Sequence, residues 1–587
     1  MDNNELNQTK GITNMVSKED SNKYKDIIES ALTIIGVSIF AFIAAFICHK
    51  VMSKDIEPEL TIGTNNAESK LYDANYDAAI SSYESEKDKE KTEWPMYKVK
   101  EAEVYSLKGD YTYSNRLLSE AYDTRNELIR KNGIEKYKEE DKELGNLIVF
   151  TALMNGDTKK ALEYGEIFFL DDDHNKQLDE TMFTVYLANG KKDEAGQILE
   201  QLDYDDSSAY ELSQVAYMNF IMNDYDKAIT YLKDAYEIDK DEVKIYDVIE
   251  DMMASHSEKL ISKLKNLSKK YPDEVYYKVW LAKCYSLNKS TAKDAQKLLD
   301  ELRDENFTSV VYKVIEADTY KNLDEVDKYN DLMEEIIEDE YDNYYGKYLA
   351  AKYVFENKEY SKGIEYAKES IIDNRDYIKV YTVVMPELLY ASKESEKAES
   401  YFRTAFYKEP FNYNTLINIA DYCRKVQQDS DKSLKYYNLA LAMSEDNAEV
   451  YYNMAISKIS LTKNDEAISL LEKAIKINDK EAKYYRKLGE VYLANKDSDK
   501  AIKTIRKAYD INSDDINTLN DAGYYYMSVG EVQRANTNFK SAYEGINDST
   551  DISVKNVITK NYEKVKEYLD DKNTWTKSSI EDFKYLD

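Results

Sequence analysis

Apolar residues recur along this chain in helix-length runs that repeat at a fixed spacing. In the C-terminal third, three similar stretches begin at Glu449, Lys483 and Asn517. Each holds two runs with apolar residues three or four positions apart, the period of one helix face, joined by a short polar turn. Small residues form three columns with a 34-residue step: Ala455, Gly489 and Gly523; Ala467, Ala501 and Ala535; Ala474, Ala508 and Ala542. A plain helical bundle has no reason to repeat in this way, so the pattern predicts a repeated helix pair.

Close packing of antiparallel helices explains the small residues. One small residue late in the first helix faces another early in the second, and a third lets the second helix accept the next pair. Larger residues, Leu471, Ile505 and Phe539, fill the space between them. This order of small and large residues resembles the tetratricopeptide repeat (TPR), a helix–turn–helix unit. The resemblance covers residues 60–545 and is specific for the fold rather than for a ligand.

The middle column continues towards the N-terminus. Its steps are 33 to 35 residues, except for one of 47 that contains extra charged sequence between Arg125 and Lys142. The anchor residues are Ala79, Ser114, Ala161, Ala195, Ala228, Ile261, Ala295, Tyr329, Gly363, Ala398, Ser433, Ala467, Ala501 and Ala535. The ladder predicts an all-α fold, a right-handed α-α superhelical solenoid of about 14 TPR-like helix pairs.

Some units depart from the pattern. Ile261 and Tyr329 are large residues at positions where small ones belong. Pro386 falls inside a predicted first helix, so that helix is expected to be kinked or to begin later. The extra charged sequence before Lys142 predicts either a lengthened second helix or an additional one.

The predicted repeat array spans residues 67–545. Residues 546–587 are predicted to form a C-terminal capping helix and a tail, because the open end of a solenoid needs a cover. The cap is placed at Asp551–Asp570. The tail, with Trp575 and Phe583, is expected to be either free or docked back on the array.

An apolar segment near the N-terminus predicts a membrane anchor. Residues 31–48 contain no charged side chain, and at 1.5 Å per residue they span about 27 Å, close to the thickness of a bilayer core. A polar tail over residues 1–30 precedes the segment, and no clear cleavage site follows it, so it is not typical of a signal peptide. We therefore predict a transmembrane helix at residues 31–52 and a linker at residues 53–66.

The lysines on either side of this segment predict its orientation. More of them precede it than follow it: Lys10, Lys18, Lys23 and Lys25 before, Lys50 and Lys54 after. Basic residues favour the cytoplasmic side. The prediction is a single-pass membrane protein with a cytoplasmic N-terminus and an extracytoplasmic repeat array.

Composition argues against several classes of function. The net charge is −33, with no dense basic cluster, which excludes a typical nucleic-acid binder. The 3 Cys and 3 His residues are scattered, so they suggest neither a metal site nor a disulfide framework. Phosphate-loop, dinucleotide and zinc-protease motifs are absent. We predict no enzyme activity, no metal and no cofactor.

The TPR resemblance implies that first helices line a concave face that binds proteins or peptides. Candidate residues on that face are Tyr210, Tyr217, Phe220, Tyr345, Tyr348, Lys352, Phe355, Arg486, Asn520, Tyr524 and Met527. Aromatic rings in a groove make good anchors for a peptide. With 55 tyrosines in the chain, however, their presence there can also be compositional. The Lys/Asn carboxylate clamp of chaperone-binding relatives is not recognisable, because Glu490 stands where the clamp needs Asn.

These features predict a membrane-tethered scaffold or adaptor for protein–protein interactions, of the kind used in envelope-associated assembly. The alternative is a peptide- or ligand-responsive TPR sensor on the cytoplasmic face. An enzyme or a glycan-binding module that uses the tyrosine-rich groove is a third hypothesis.

Overall fold

The computed structural model describes residues 62–169, 175–303, 309–547, 550–570 and 583–585, and all regular structure in these ranges is helical. The first helices are α1 (Asn66–Tyr72), α2 (Tyr76–Glu90), α3 (Met96–Leu107), α4 (Tyr111–Asn132), α5 (Lys138–Met154), α6 (Thr158–Phe168), α7 (Lys176–Ala188), α8 (Lys192–Gln201), α9 (Ala209–Ile221), α10 (Tyr225–Ile238) and α11 (Val243–Lys270). The middle helices are α12 (Val275–Ser286), α13 (Ala292–Arg303), α14 (Val310–Asn322), α15 (Val326–Glu340), α16 (Tyr344–Glu356), α17 (Tyr360–Asp373), α18 (Met385–Ala391), α19 (Ala398–Lys408), α20 (Tyr413–Tyr422) and α21 (Ser430–Met443). The last helices are α22 (Ala448–Ser460), α23 (Asn464–Ile477), α24 (Ala482–Ala494), α25 (Ser498–Ile511), α26 (Ile516–Ser528), α27 (Val532–Glu544) and α28 (Ile552–Asp570).

Consecutive helices pack as pairs, and the predicted anchors lie inside the second helix of each pair. Ala228, Ala467 and Ala501 are each the fourth residue of their helix and have no exposed surface. Tyr329 also takes this position, and its hydroxyl donates a hydrogen bond to Glu356 at 2.9 Å. One anchor differs from the sequence analysis. The buried residue is Leu260, one position before Ile261.

Many second helices begin at an aspartate that caps the helix. The Asp157, Asp224 and Asp497 carboxylates each accept a backbone N–H three residues later, at 3.0, 3.1 and 3.2 Å. The residue before the cap has positive φ, as at Gly156 with φ +80°. A left-handed residue followed by a capping carboxylate makes the tight turn within each pair.

The irregular units have local causes. Helix α4 is lengthened, and Arg125 near its end forms an ion pair with Asp141 at 2.5 Å. Helix α11 joins both helices of its unit across a kink at His256, with φ −148° and ψ 61°. At Pro386 the helix continues: a π-helical turn at Val380–Val384 leads directly into α18. The wider turn accommodates a residue that has no N–H to donate.

The predicted fold class needs one correction. Among the residues that the structure describes, no helix is both long enough and apolar enough to cross a membrane. The predicted transmembrane segment, residues 31–52, lies outside them. The fold that the structure supports is an all-α TPR-like solenoid. Because the described part of the chain contains no membrane-spanning helix, the predicted localisation as a single-pass membrane protein is withdrawn. The prediction of envelope-associated assembly, which depended on that segment, loses its support.

The solenoid turns back on itself, a feature that the sequence analysis did not predict. Helices α19–α21 pack against helices in the first half of the same array. The Ser400 hydroxyl donates to the Leu71 carbonyl at 2.6 Å, and the Asn146 amide donates to the Tyr407 hydroxyl at 2.7 Å. Arg403 and Glu103 form a buried ion pair. Helices α22–α27 continue beyond this closed part, with α28 packed on α27.

Candidate protein-binding grooves

A loop of the chain itself fills the groove that first helices α7, α9 and α11 line. The inner loop is defined as Glu409–Tyr413, the four connecting residues and the first residue of α20. All five are buried, although connecting loops normally lie at the surface. The Phe411 ring is fully buried, with ring centroids 6.4 Å from both Phe183 and Tyr217. The inner loop therefore occupies the place of a bound peptide.

The Glu409 carboxylate fixes the inner loop in the groove. Glu409 is 1% exposed and forms an ion pair with the buried Lys244. It also accepts hydrogen bonds from Gln214 at 3.2 Å, from the Tyr210 hydroxyl at 3.3 Å and from Asn412 at 3.1 Å. These contacts satisfy a charge that would otherwise be costly to bury.

The first group of predicted groove residues thus contacts the chain itself. Tyr210 donates to Glu409, and the Tyr217 hydroxyl accepts the Tyr413 N–H at 3.3 Å. Phe220 packs at 4.9 Å from Tyr225. In this structure the three aromatic residues surround the inner loop or belong to the core beside it.

Three residues of the second group, Tyr345, Tyr348 and Lys352, line a small cavity of about 100 Å³ beside the half-buried Lys379. Tyr345 and Tyr348 are stacked at 6.0 Å, and the Lys379 ammonium contacts Asp247 at 2.8 Å and Glu250 at 2.9 Å. Burial opposes the charge of Lys379, but the two carboxylates hold its pKa well above the usual value.

The other two residues of that group lie on the same helix, α16. Lys352 lines the cavity, and the nearby Asp318 carboxylate raises its pKa. Phe355 packs on Tyr360 at 5.8 Å. The four residues therefore share one helix and one side of the closed part.

A larger cleft of about 880 Å³ opens between α11, the helix around Pro386 and α20. Its polar lining includes Asp251, which accepts hydrogen bonds from Asn412 at 2.9 Å and Asn414 at 2.6 Å. Burial raises the pKa of Asp251 to about 7. The cleft thus adjoins the inner loop and contains a carboxyl group that titrates near neutral pH.

Glu180, on α7, is another buried carboxyl group, and burial raises its pKa to about 8. Because this value lies above that of an unfolded glutamate, the folded state keeps a proton that the unfolded state loses. The free energy of unfolding therefore falls as pH rises from about 4.5 towards 8. Glu180→Gln removes this titration. The free energy of unfolding of the variant, relative to the parent protein, should therefore be higher at pH 7 than at pH 5 by about 2 kcal/mol.

Melting temperatures of the Glu180→Gln variant and the parent protein at the two pH values test this expectation. Glu200→Gln, at an exposed position on the next helix, is the control. Its melting temperature should differ from that of the parent protein by the same amount at both pH values. A Glu180→Gln effect that does not change with pH would contradict the assignment.

The third group of predicted residues lies in a separate groove, formed by α24, α26 and α28. Arg486 and Asp521 form a buried ion pair at 2.9 Å. The Asn520 amide donates to Asp521 at 3.2 Å, and Met527 is fully buried beneath the groove. Tyr524 is half-buried at its edge.

This C-terminal groove holds residues 583–585, which we call the C-terminal segment. The Lys584 carbonyl accepts hydrogen bonds from Asn561 at 2.8 Å and from Asn520 at 3.3 Å, and the Lys584 N–H donates to Asn561 at 3.1 Å. Tyr585 packs on Tyr524 at 4.8 Å. Of the tail residues singled out from the sequence, Phe583 is therefore docked, whereas Trp575 lies outside the described residues.

Sequence reasoning missed two groups of groove residues. Asn561 was not found because it lies on the capping helix, outside the repeat pattern. The inner loop was not found because it has the same length as other loops between pairs. A sequence signal for it existed only in Pro410 and Phe411, which make the loop unusually apolar.

Comparison with known families identifies the repeat in two places. Residues 213–242 and 452–516 each match a family model described as tetratricopeptide repeat. These stretches cover α9–α10 and most of α22–α25. No curated protein matches the chain in sequence.

Several solved structures resemble the chain in fold. The APC/C hetero-tetramer Cut9–Hcn1 is 15% identical, with 85% of this chain and 95% of that chain covered and a TM-score of 0.41. MamA is 23% identical over 27% of this chain and 94% of its own, with a TM-score of 0.25. PilW, a type IV pilus biogenesis factor, is 14% identical over 36% of this chain and 96% of its own, with a TM-score of 0.31. Likenesses at this level carry no functional argument. The family matches show tetratricopeptide repeats at residues 213–242 and 452–516.

Proposed function

We propose that the chain is a scaffold that binds a protein partner in its C-terminal groove. One observation supports this proposal above all: the groove already holds a segment of chain, residues 583–585, by its backbone and by two aromatic side chains. Hydrogen bonds to a peptide backbone together with pockets for alternate side chains are a general mode of peptide recognition.

The groove around the inner loop suits a partner less well. Opening it would uncouple the buried pair of Lys244 and Glu409 and expose Phe411. Removing one partner of a buried ion pair costs about 3–5 kcal/mol. Freeing the C-terminal groove displaces three described residues and breaks no ion pair among them. The C-terminal groove is therefore the surface that a partner can reach.

Photocrosslinking in cells tests the proposal. A photoreactive amino acid at Tyr524, in the groove, should give discrete adducts with other proteins on irradiation. The matched control carries the same photoreactive amino acid in place of Tyr509, which is 45% exposed on the outer helix α25. It should give none of these adducts. Identical adducts at both positions, or none at Tyr524, would refute the proposal.

The large cleft supports a second candidate, a ligand-responsive sensor. Its volume of about 880 Å³ falls within the range of small-molecule sites, and it is bounded by helices from both sides of the closure. A ligand there would contact α11 and α20 together, and could change how firmly they pack. A sensor of this kind needs no protein in the C-terminal groove, so the absence of adducts at Tyr524 would favour it.

A further inference from the structure

The C-terminal segment is bound through the backbone of its central residue, Lys584. The Asn561 side chain pairs with both the N–H and the C=O of Lys584, at 3.1 and 2.8 Å. Asn561 is itself 1% exposed, and its side-chain amide donates to the side-chain Oδ1 of Asn520 at 2.9 Å, which fixes the orientation of the Asn561 amide. These two hydrogen bonds involve only the peptide backbone, so they do not depend on the side chain of residue 584.

Two aromatic side chains on either side of Lys584 provide selectivity. The Phe583 ring stacks on Phe539 at 5.6 Å, with 10° between the planes, and lies 5.8 Å from Tyr568. The Tyr585 ring meets the edge of Tyr524 at 4.8 Å. Lys584 between them is exposed. The groove therefore accepts an aromatic residue, any residue, and a second aromatic residue in succession.

The fit of the second aromatic is incomplete. The Tyr585 hydroxyl is buried and has no hydrogen-bond partner among the described residues. A buried polar group without a partner costs about 1–3 kcal/mol. A segment with phenylalanine at this position would avoid that cost, so the chain's own segment is not the best possible ligand for its groove.

We infer that the C-terminal groove recognises an extended partner segment of the pattern aromatic–any residue–aromatic, and that residues 583–585 compete with it from within the chain. This inference rests on the proposed function and specifies its ligand and its regulation. The partner segment need not be charged, since the clamp of Asn520 and Asn561 is neutral. Attachment to the same chain gives the internal segment a high effective concentration, so it occupies the groove until a better ligand displaces it.

A peptide-binding experiment tests the inference. The probe is a fluorescent peptide of residues 580–587, IEDFKYLD, and the proteins are the intact chain and a chain that ends at Asp582. The shortened chain should bind the peptide, with the intact chain binding at least about tenfold more weakly because its own segment competes. Equal binding by the two chains, or no binding by the shortened one, would overturn the inference.

Peptide variants then test the pattern on the unaltered shortened chain. Phe583→Ala in the peptide should weaken binding at least about tenfold, since it empties the slot beside Phe539. Lys584→Ala should leave the affinity unchanged, and Tyr585→Phe should leave it unchanged or improve it. A loss with Lys584→Ala as large as that with Phe583→Ala would contradict the assigned pattern.

Protein variants test the backbone clamp. Asn561→Leu in the shortened chain should abolish peptide binding, whereas Asn556→Leu, at an exposed position on the same helix, should bind like the parent chain. An unchanged circular dichroism spectrum shows that a variant is folded. If Asn561→Leu does not fold, the peptide variants alone test the inference.

Two further results separate the inference from the proposed function. If adducts form at Tyr524 but the peptide does not bind, the groove binds proteins and the inference about its ligand fails. Light scattering of the intact chain should give a monomer mass. A dimer that disappears on removal of residues 583–587 would show that the segment binds a second copy, and would overturn competition within one chain.

Discussion

Glu409→Ala is expected to lower the free energy of unfolding by about 4 kcal/mol, the largest effect of any single substitution considered for this protein. The change leaves the Lys244 ammonium buried without its partner, and it removes an acceptor from Tyr210 and Gln214. The inner loop loses the one charge that ties it to the groove. Urea unfolding followed by circular dichroism measures the effect.

Glu445→Ala is the matched control, because Glu445 also lies in a loop between pairs but is exposed. It should change stability by less than about 0.5 kcal/mol. Replacing Lys244 and Glu409 together by methionine should recover part of the loss, since an apolar pair carries no desolvation cost. If Glu409→Ala were as mild as the control, the loop would not be held by this carboxylate.

Gly156→Ala is expected to cost about 3 kcal/mol, for two reasons that can be measured apart. Gly156 has φ +80°, which costs an alanine about 1 kcal/mol. A Cβ there would also lie 2.2 Å from Cδ of Lys435, whose ammonium sits 3.6 Å from the Tyr111 ring centroid and donates to the Met154 carbonyl at 3.1 Å. Displacing this side chain should cost about 2 kcal/mol more. Thermal unfolding measures the total.

Gly190→Ala provides the control, since Gly190 takes the equivalent turn of the next pair with φ +70° and no atom within 4 Å of its Cβ position. Gly190→Ala should therefore lower stability only by the free-energy cost of placing an alanine at positive φ. Combining Gly156→Ala with Lys435→Ala should remove the excess over Gly190→Ala, as a double-mutant cycle would detect. An equal effect at both glycines would mean that Lys435 does not contact this turn in solution.

The repeat pattern predicted the helix pairs well because their packing is local. Ala228 and Ala467 must be small because a neighbouring helix lies against each of them, and that helix is nearby in sequence. The exceptions are positions where a residue that departs from the repeat pattern is accommodated by its own contacts or by a local change of the backbone. Tyr329 fits by directing its hydroxyl to Glu356, and Pro386 is absorbed by a π-helical turn. Neither outcome is encoded in the spacing of small residues.

The candidate grooves were less predictable, because they depend on contacts between distant parts of the chain. Template positions placed Tyr217 and Tyr524 on first helices, but they could not show what covers them. Whether Phe411 reaches Tyr217 depends on a curvature that accumulates over many pairs. Asn561 carries no signal at all, since an asparagine on a polar helix is common.

Closure also determines how the protein would respond to a mechanical load. Among the described residues, pairs α22–α27 pack chiefly against adjacent helices, with the Asn447 amide at the start of α22 donating to the Ala254 carbonyl at 3.1 Å. Tension on the C-terminal end can therefore peel these pairs away one at a time. Each 34-residue step would release about 12 nm of chain. The part before them behaves differently, because Arg375 donates to the Ile62 carbonyl at 2.7 Å and Arg403 pairs with Glu103. Its first and late helices share the load, so this part should extend as a single unit at higher force.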